Sequence, residues 1–350
     1  MATQAASDLF KAGKFNTMSI SKTPTDANWF VRNVRKVYNP IGFKRGYTFT
    51  FFFITVGALF GFSVARLKYT FAFSTTFCSE TGDVGAAPGE CYYYKQSLYN
   101  TGIKLHLYTI IPAALLACVQ FVPVIRHRFI IVHRVNGYLV LVLAYLGLIS
   151  AFMILRRAFG GGLDVQLWGG VAGTMSAVSL GLSYYNVKKL QIEEHRKWML
   201  RAWAYLGTII TMRLIFVIMA AVISKYGDYY QPRECGQIQF LVKSQEELSI
   251  RYPECSRNAS SNALTLVRAN FSSSAPEEAT VALGISFGSA AWLALTIHAV
   301  LVELYINLTP AEHHRLRKIS YQRQLEAGVM KAGNAGFTAQ RCGDSDPWMD

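Results

Sequence analysis

Six stretches of this chain are long, apolar and almost free of charge, which leaves few folds open to it. Residues 47–65, 107–124, 137–155, 165–187 and 279–302 contain no Asp, Glu, Lys or Arg, and 202–224 contains only Arg213. Each is near or above the roughly 18 residues that a helix needs to cross a bilayer. A soluble core does not repeat that length six times. The whole chain of 350 residues is 52% hydrophobic and 16% charged, against about 25% charged in a soluble domain. The expectation is an all-α integral membrane protein with six transmembrane helices.

Charge bias sets the expected orientation. Six spans put 1–45, 125–136, 188–201 and 306–350 on one side, with 22 Lys plus Arg and 9 acids. The other side, 66–104, 156–164 and 225–280, carries 12 basic and 11 acidic residues. The positive-inside rule makes the first set cytosolic, so both termini are expected there. The net charge of +14 is then a topology signal and not a mark of nucleic-acid binding. Residues 1–45 lack the apolar stretch of a signal peptide, so the first span is read as the insertion signal. The partners implied are the lipid bilayer and anionic lipid on the basic face. The membrane is read as plasma membrane or endomembrane.

The loops agree with this orientation. Cys78 and Cys91 fall in the first extracytosolic loop, Cys235 and Cys255 in the last, where disulfides form. Pairing within each loop is the simplest of three connectivities. The sequons at Asn258 and Asn270 lie in the same last loop and are glycosylation candidates; that at Asn307 falls on the cytosolic side.

Three regions follow: a basic tail over 1–45, a membrane domain over 46–305, and a second tail over 306–350. Trp29, Phe30 and Tyr38 alternate with basic residues, as in an interfacial stretch or a solvated tail. Tyr92–Tyr94 are expected at the membrane surface, and 225–280 as a disulfide-stapled cap. A basic helix over 312–325 is expected to give way to a disordered Gly-rich end. Short connections within 103–216 favour an antiparallel four-helix core from spans two to five, flanked by spans one and six.

Chemistry in such a protein belongs to ionisable groups at membrane depth. His106 and Gln120 are fourteen residues apart, so they share one helix face about 21 Å apart. Ala113 and Ala117 on that stripe favour close packing, and Pro112 should bend the helix. His133 and His195 stand at two cytosolic helix entrances, each followed by Arg. Two imidazoles at similar depth suit bis-histidine ligation of one haem, or a copper or zinc ion; a His-Arg pair also suits a snorkelling interfacial role. Arg213 lies twelve residues beyond Arg201, hence about 18 Å into a layer about 30 Å thick. It needs a partner: a carbonyl near Pro112, a hydroxyl such as Tyr145, Ser176 or Ser179, or an anionic ligand. His298 ranks below these. Phosphate-binding Gly loops, dinucleotide fingerprints, Gly-x-Ser-x-Gly and HExxH are absent.

The segment from Leu105-His106 and Gln120-Phe121 through His133-Arg134-Val135-Asn136-Gly137-Tyr138 carries a resemblance. It continues in His195-Arg196-Lys197-Trp198-Met199-Leu200-Arg201 and Thr211-Met212-Arg213-Leu214. Over about 103–216 the chain resembles a family of integral membrane proteins catalogued as a domain of unknown function (number 2306). That implies a multi-span fold and no activity. A looser architectural similarity is to six-helix, ascorbate-reducible cytochromes, which carry two haems on four histidines. Span four here has no histidine, so at most one haem b, held by His133 and His195, fits that pattern.

Three functional classes follow. One is a redox protein with a haem or metal near the cytosolic face, Arg201 and Arg213 balancing an anionic group. Another is a binding or transport protein, with His106, Gln120 and Arg213 facing an anionic or lipid-like small molecule. The third is a scaffold or accessory subunit. Both enzymatic and non-enzymatic roles remain open at this point.

Overall fold

A computed structural model describes residues 29–80, 82–256 and 259–346. Asn258 lies outside the described residues. Helices dominate: α1 (Trp29–Tyr38), α2 (Gly46–Arg66), α3 (Ser97–Gln120), α4 (Ile130–Ile154), α5 (Leu163–Lys188), α6 (Ile192–Leu206), α7 (Thr208–Tyr226), α8 (Pro276–Asn307) and α9 (Pro310–Glu326). Five stretches are long and apolar enough to cross a membrane: Gly46–Phe71, Ser97–Gln120, Ile130–Ile154, Ile192–Tyr226 and Pro276–Asn307. α5 is a 26-residue helix but lies outside that set. Its Gly, Ser, Gln and Asn content dilutes its hydropathy, and the polar residues that survive, Ser176, Ser179, Ser183 and Asn186, are buried.

The helices pair as hairpins, α3 with α4, α5 with α6, and α7 with α8. Small residues allow each close approach. Gly102 of α3 faces Ile154, and Gly147 of α4 faces Ile110 and Thr109. α8 presents Ala290, Ala291 and Ala294, all fully buried, to α7. α8 also packs on α5 and α6, so the last long helix belongs to the core and does not flank it. α2 leans on α3 and turns nearly its whole surface outward, including Phe53, Ile54 and Phe60. Such a face is stable only against lipid tails. α3 runs unbroken through Pro112.

At one end, two loops build a single cap. Cys78 is bonded to Cys91 and Cys235 to Cys255. A short ribbon, β1 (Cys78–Ser79) against β2 (Gly82–Asp83), lies in the first loop. In the second, β3 (Tyr230–Glu234) pairs antiparallel with β4 (Leu264–Arg268), Arg233 opposite Thr265. Gln237 donates to the Gly89 carbonyl at 3.1 Å and Thr280 to that of Pro88 at 2.8 Å, joining the two. Tyr93 and Tyr94 are buried inside this cap and do not lie at a membrane surface.

At the other end the Gly-rich tail is ordered over its described part. The Gln191 amide donates to the Gly333 carbonyl (2.8 Å) and accepts from the Gly336 amide (3.0 Å). Asn186 accepts from the Phe337 amide at 2.7 Å. Both side chains are fully buried, and buried amides need partners; the tail backbone supplies them.

Candidate functional site

Three histidines share one arrangement. Nδ1 of His106 lies 2.8 Å from the Gly147 carbonyl, Nδ1 of His195 lies 3.0 Å from that of Ser183, and Nδ1 of His298 lies 2.8 Å from that of Ala204. A carbonyl only accepts, so each Nδ1 carries the proton and each Nε2 presents a lone pair. His298 spends that lone pair on the Thr211 hydroxyl, at 2.8 Å. His106 and Gln120 both engage α4: the Gln120 amide donates to the His133 carbonyl at 3.1 Å, and Asn136 answers with a bond to the Leu116 carbonyl at 3.0 Å. These contacts clamp α3 to α4.

His195 stands on the first turn of α6, and the Ser183 hydroxyl lies a further 2.8 Å from its Nδ1. The turn before it passes through Leu190 in the left-handed region (φ 56°), which returns α6 along α5. Nε2 of His195 makes no hydrogen bond and is not closed off among the described residues. His133 stands on the first turn of α4. Its Nδ1 is buried without a partner. The two rings lie within each other's electrostatic reach, and Arg126 reaches both. Arg126 comes from the short helix Pro123–Arg128, whose first residue packs under Gly42 and whose Val124 amide donates to the Ile41 carbonyl. Arg126 makes no hydrogen bond or ion pair among the described residues. The charged groups around it are Glu312, Arg196 and Arg315, and Glu312 is held by Arg315 at 2.7 and 2.8 Å.

Arg201 stays out of this cluster. Glu303 of α8 takes it in a two-point bond, 2.6 and 2.9 Å, with the guanidinium over Trp198. It is therefore not free to balance an anionic ligand, a consequence of α8 packing on α6. Arg126 is instead the cation beside His133 and His195. It went unnoticed in the sequence because Arg126-His127-Arg128 reads as a solvated basic run.

Arg213 belongs to the opposite end. The groups whose fields reach it are Arg66, Tyr94, Glu90 and Tyr69, all from α2 and the cap. It does not meet Tyr145, Ser176 or Ser179: Tyr145 donates to the Ala177 carbonyl and Ser176 to that of Ala172. Glu90, with 2% of its surface exposed, is the acid the sequence hid. It accepts from the Phe159 amide and the Tyr94 hydroxyl, both at 3.0 Å. Its one sequence signal is a lone carboxylate between Gly89 and a half-cystine in a tyrosine run. Arg233, also buried, donates to Gln231 at 2.9 Å and is seated by Gly160 and Gly284, where any Cβ would collide with it. Among the described residues no three His, Cys, Asp or Glu side chains gather as a metal site. Asn270 accepts from the Ser272 amide at 3.1 Å.

Residues 103–232 match the model of a family described as predicted membrane protein (DUF2306). That segment holds α3 to α7, with His106, Gln120, His133, His195, Arg201 and Arg213. Ava biosynthesis cluster protein G of Aspergillus versicolor is 28% identical over 229 residues, covering 57% of this chain and 67% of that protein. No solved structure matches. The family match and the five apolar helices identify a multi-pass integral membrane protein.

Proposed function

We propose that this multi-pass membrane protein is a redox protein holding one haem b between His133 and His195. The observation that carries the reading is the protonation pattern of the pair. The Ser183 carbonyl fixes the His195 proton on Nδ1, leaving Nε2 as a ligating lone pair, the usual second-shell device of a metal-bound histidine. His133, whose ring feels the charge of His195, has its ring nitrogens uncommitted.

The donor set favours haem over a bare ion. Arg126 and Arg134 bring positive charge to His133, which repels a free divalent cation, and no third ligating side chain is close among the described residues. Haem brings four nitrogens of its own and two carboxylates. Arg126, without a partner, suits one of those carboxylates. The group would supply one-electron chemistry at iron. The protein's part is to hold two neutral imidazoles, fix the His195 tautomer and balance the propionate charge.

The same reading takes six spans with both tails cytosolic. Parity supports the count. The cap joins Gly89 to Gln237 and Glu90 to Phe159, and Arg157 pairs with Glu234 at 2.7 Å. Loops that touch on one side must be separated by an even number of crossings. Between Phe159 and Glu234 that requires α5 as well as the continuous α6–α7 pair to cross. At about 1.5 Å per residue, the 26 residues of α5 reach about 39 Å, enough to do so.

Full-length protein purified in mild detergent from haem-replete cells tests the proposal. A haem absorption band is expected, reduced at least tenfold in His133→Ala and in His195→Ala at unchanged helical content. A folded, colourless preparation, or a band indifferent to both substitutions, overturns it.

A further inference from the structure

A second polar centre sits on the far side of the molecule from the histidine pair, and its charge does not balance. Arg213 projects from α7 so that its guanidinium carbon lies 5.3 Å from the ring centre of Phe159 and 5.5 Å from that of Phe216. Its Nε is buried with no partner. Its two terminal nitrogens make no hydrogen bond or ion pair among the described residues, and neither is closed off. Arg66, on the last turn of α2, is the second cation facing this space. It stacks on Phe62 and donates to that residue's own carbonyl at 3.3 Å, with no carboxylate partner.

Among the groups with the largest fields at Arg213, Glu90 is the acid, and it is already committed. Its two oxygens accept from the Phe159 amide and the Tyr94 hydroxyl. Two guanidinium groups therefore lie within each other's field where α2, α7 and the cap meet, with one carboxylate that bonds elsewhere. Stacking on aromatic rings offsets part of the cost of a cation at this depth. It leaves the in-plane N–H donors unsatisfied, and those are what an oxyanion accepts in a two-point bond. The surroundings, Phe62, Phe159 and Phe216, are apolar.

We propose that this cluster binds the oxyanion head of a ligand, a carboxylate or phosphate, with Arg213 and Arg66 as its charged donors and the phenylalanines against its apolar body. The same head chemistry occurs on a membrane amphiphile and on a free small anion, and the probes separate them. The site shares no residue with the histidine pair, so it stands if the haem proposal fails.

Native mass spectrometry of the full chain in neutral detergent is the test, with oleate, phosphatidic acid and inorganic phosphate as separate probes. Wild type should retain at least one. Arg213→Gln and Arg66→Gln should each weaken retention at least tenfold, Arg213→Lys less, and Lys243→Gln on the exposed cap not at all. Retention of oleate or phosphatidic acid without phosphate assigns an amphiphile; competition by phosphate assigns a free anion. Arg66 is only half buried, so its variant keeps the test valid if Arg213→Gln does not fold. No retained probe on folded wild type, or retention by folded Arg66→Gln and Arg213→Gln equal to that of wild type, overturns the proposal.

Discussion

Glu90 shows how a single residue couples the cap to pH. Burial pushes its carboxyl up to about 7, against the Phe159 amide, the Tyr94 hydroxyl and Arg233, which all favour the charged form. In the unfolded chain the group ionises near 4.5. Below that pH both states hold the proton and the buried acid is neutral. As pH rises from about 4.5 through about 7, the unfolded state gives up its proton first, so stability is lost across that window. The shift corresponds to about 3 kcal/mol once both states are ionised. Thermal melts in detergent should therefore show stability falling over this range, and Glu90→Gln should flatten the profile. A Glu90→Gln profile as steep as wild type would assign the dependence to other groups. Burial of this kind was invisible in the sequence, because the cap that encloses Glu90 is assembled from residues near 90, 159 and 233.

At the scale of elements, side-chain to backbone bonds and glycines set how closely helices approach. His106, Gln120 and Asn136 tie α3 to α4 through carbonyls, so the bond survives only if the two helices keep their spacing. Gly147 lies at that contact, where a Cβ would stand 3.2 Å from the Ile110 side chain and 3.3 Å from that of Thr109. Gly147→Leu should push the pair apart, break the His106 bond and cost about 2 kcal/mol or more, read as a lower melting temperature. Gly57 on the outward face of α2 has nothing within 4 Å, and Gly57→Leu should leave stability within about 0.5 kcal/mol. Equal effects would mean that α3 and α4 are not closely packed there. The inward stripe of α3 was legible in advance from the fourteen-residue spacing of His106 and Gln120 and the small residues between them. The order of the Gly-rich tail was not: its low hydropathy reads as disorder, and only the buried amides of Asn186 and Gln191 explain why it docks.

Across the whole molecule, one end is stapled and the other is held by a polar network. The disulfides close segments with sequence separations of 13 and 20 residues. Opening either by a Cys→Ser pair should cost about 2–4 kcal/mol and loosen the cap, seen as faster amide exchange at Phe159 and in β3–β4. Exchange should be unchanged at the Gln191–Gly336 contact on the opposite end. Loosening of both ends together would show that the membrane core does not insulate them.

What the sequence determined alone is the class of the protein, a multi-pass membrane protein, and the cysteine-bearing loops that cap it. Runs without charge and cysteine placement are local properties, and the bilayer reads them segment by segment. Helix partners, by contrast, were decided in three dimensions. Arg201 and Glu303 lie a hundred residues apart, and Glu90, whose oxygens are taken by Phe159 and Tyr94, lies still further from Arg213 along the chain. Which cation is neutralised and which stays free depends on which helix faces which. α8 packs on α6 and takes Arg201; the cap spends Glu90 on an amide and a hydroxyl. A charge pattern along one chain cannot contain that choice, because side-chain electrostatics act over a few ångströms of space whatever the distance in sequence.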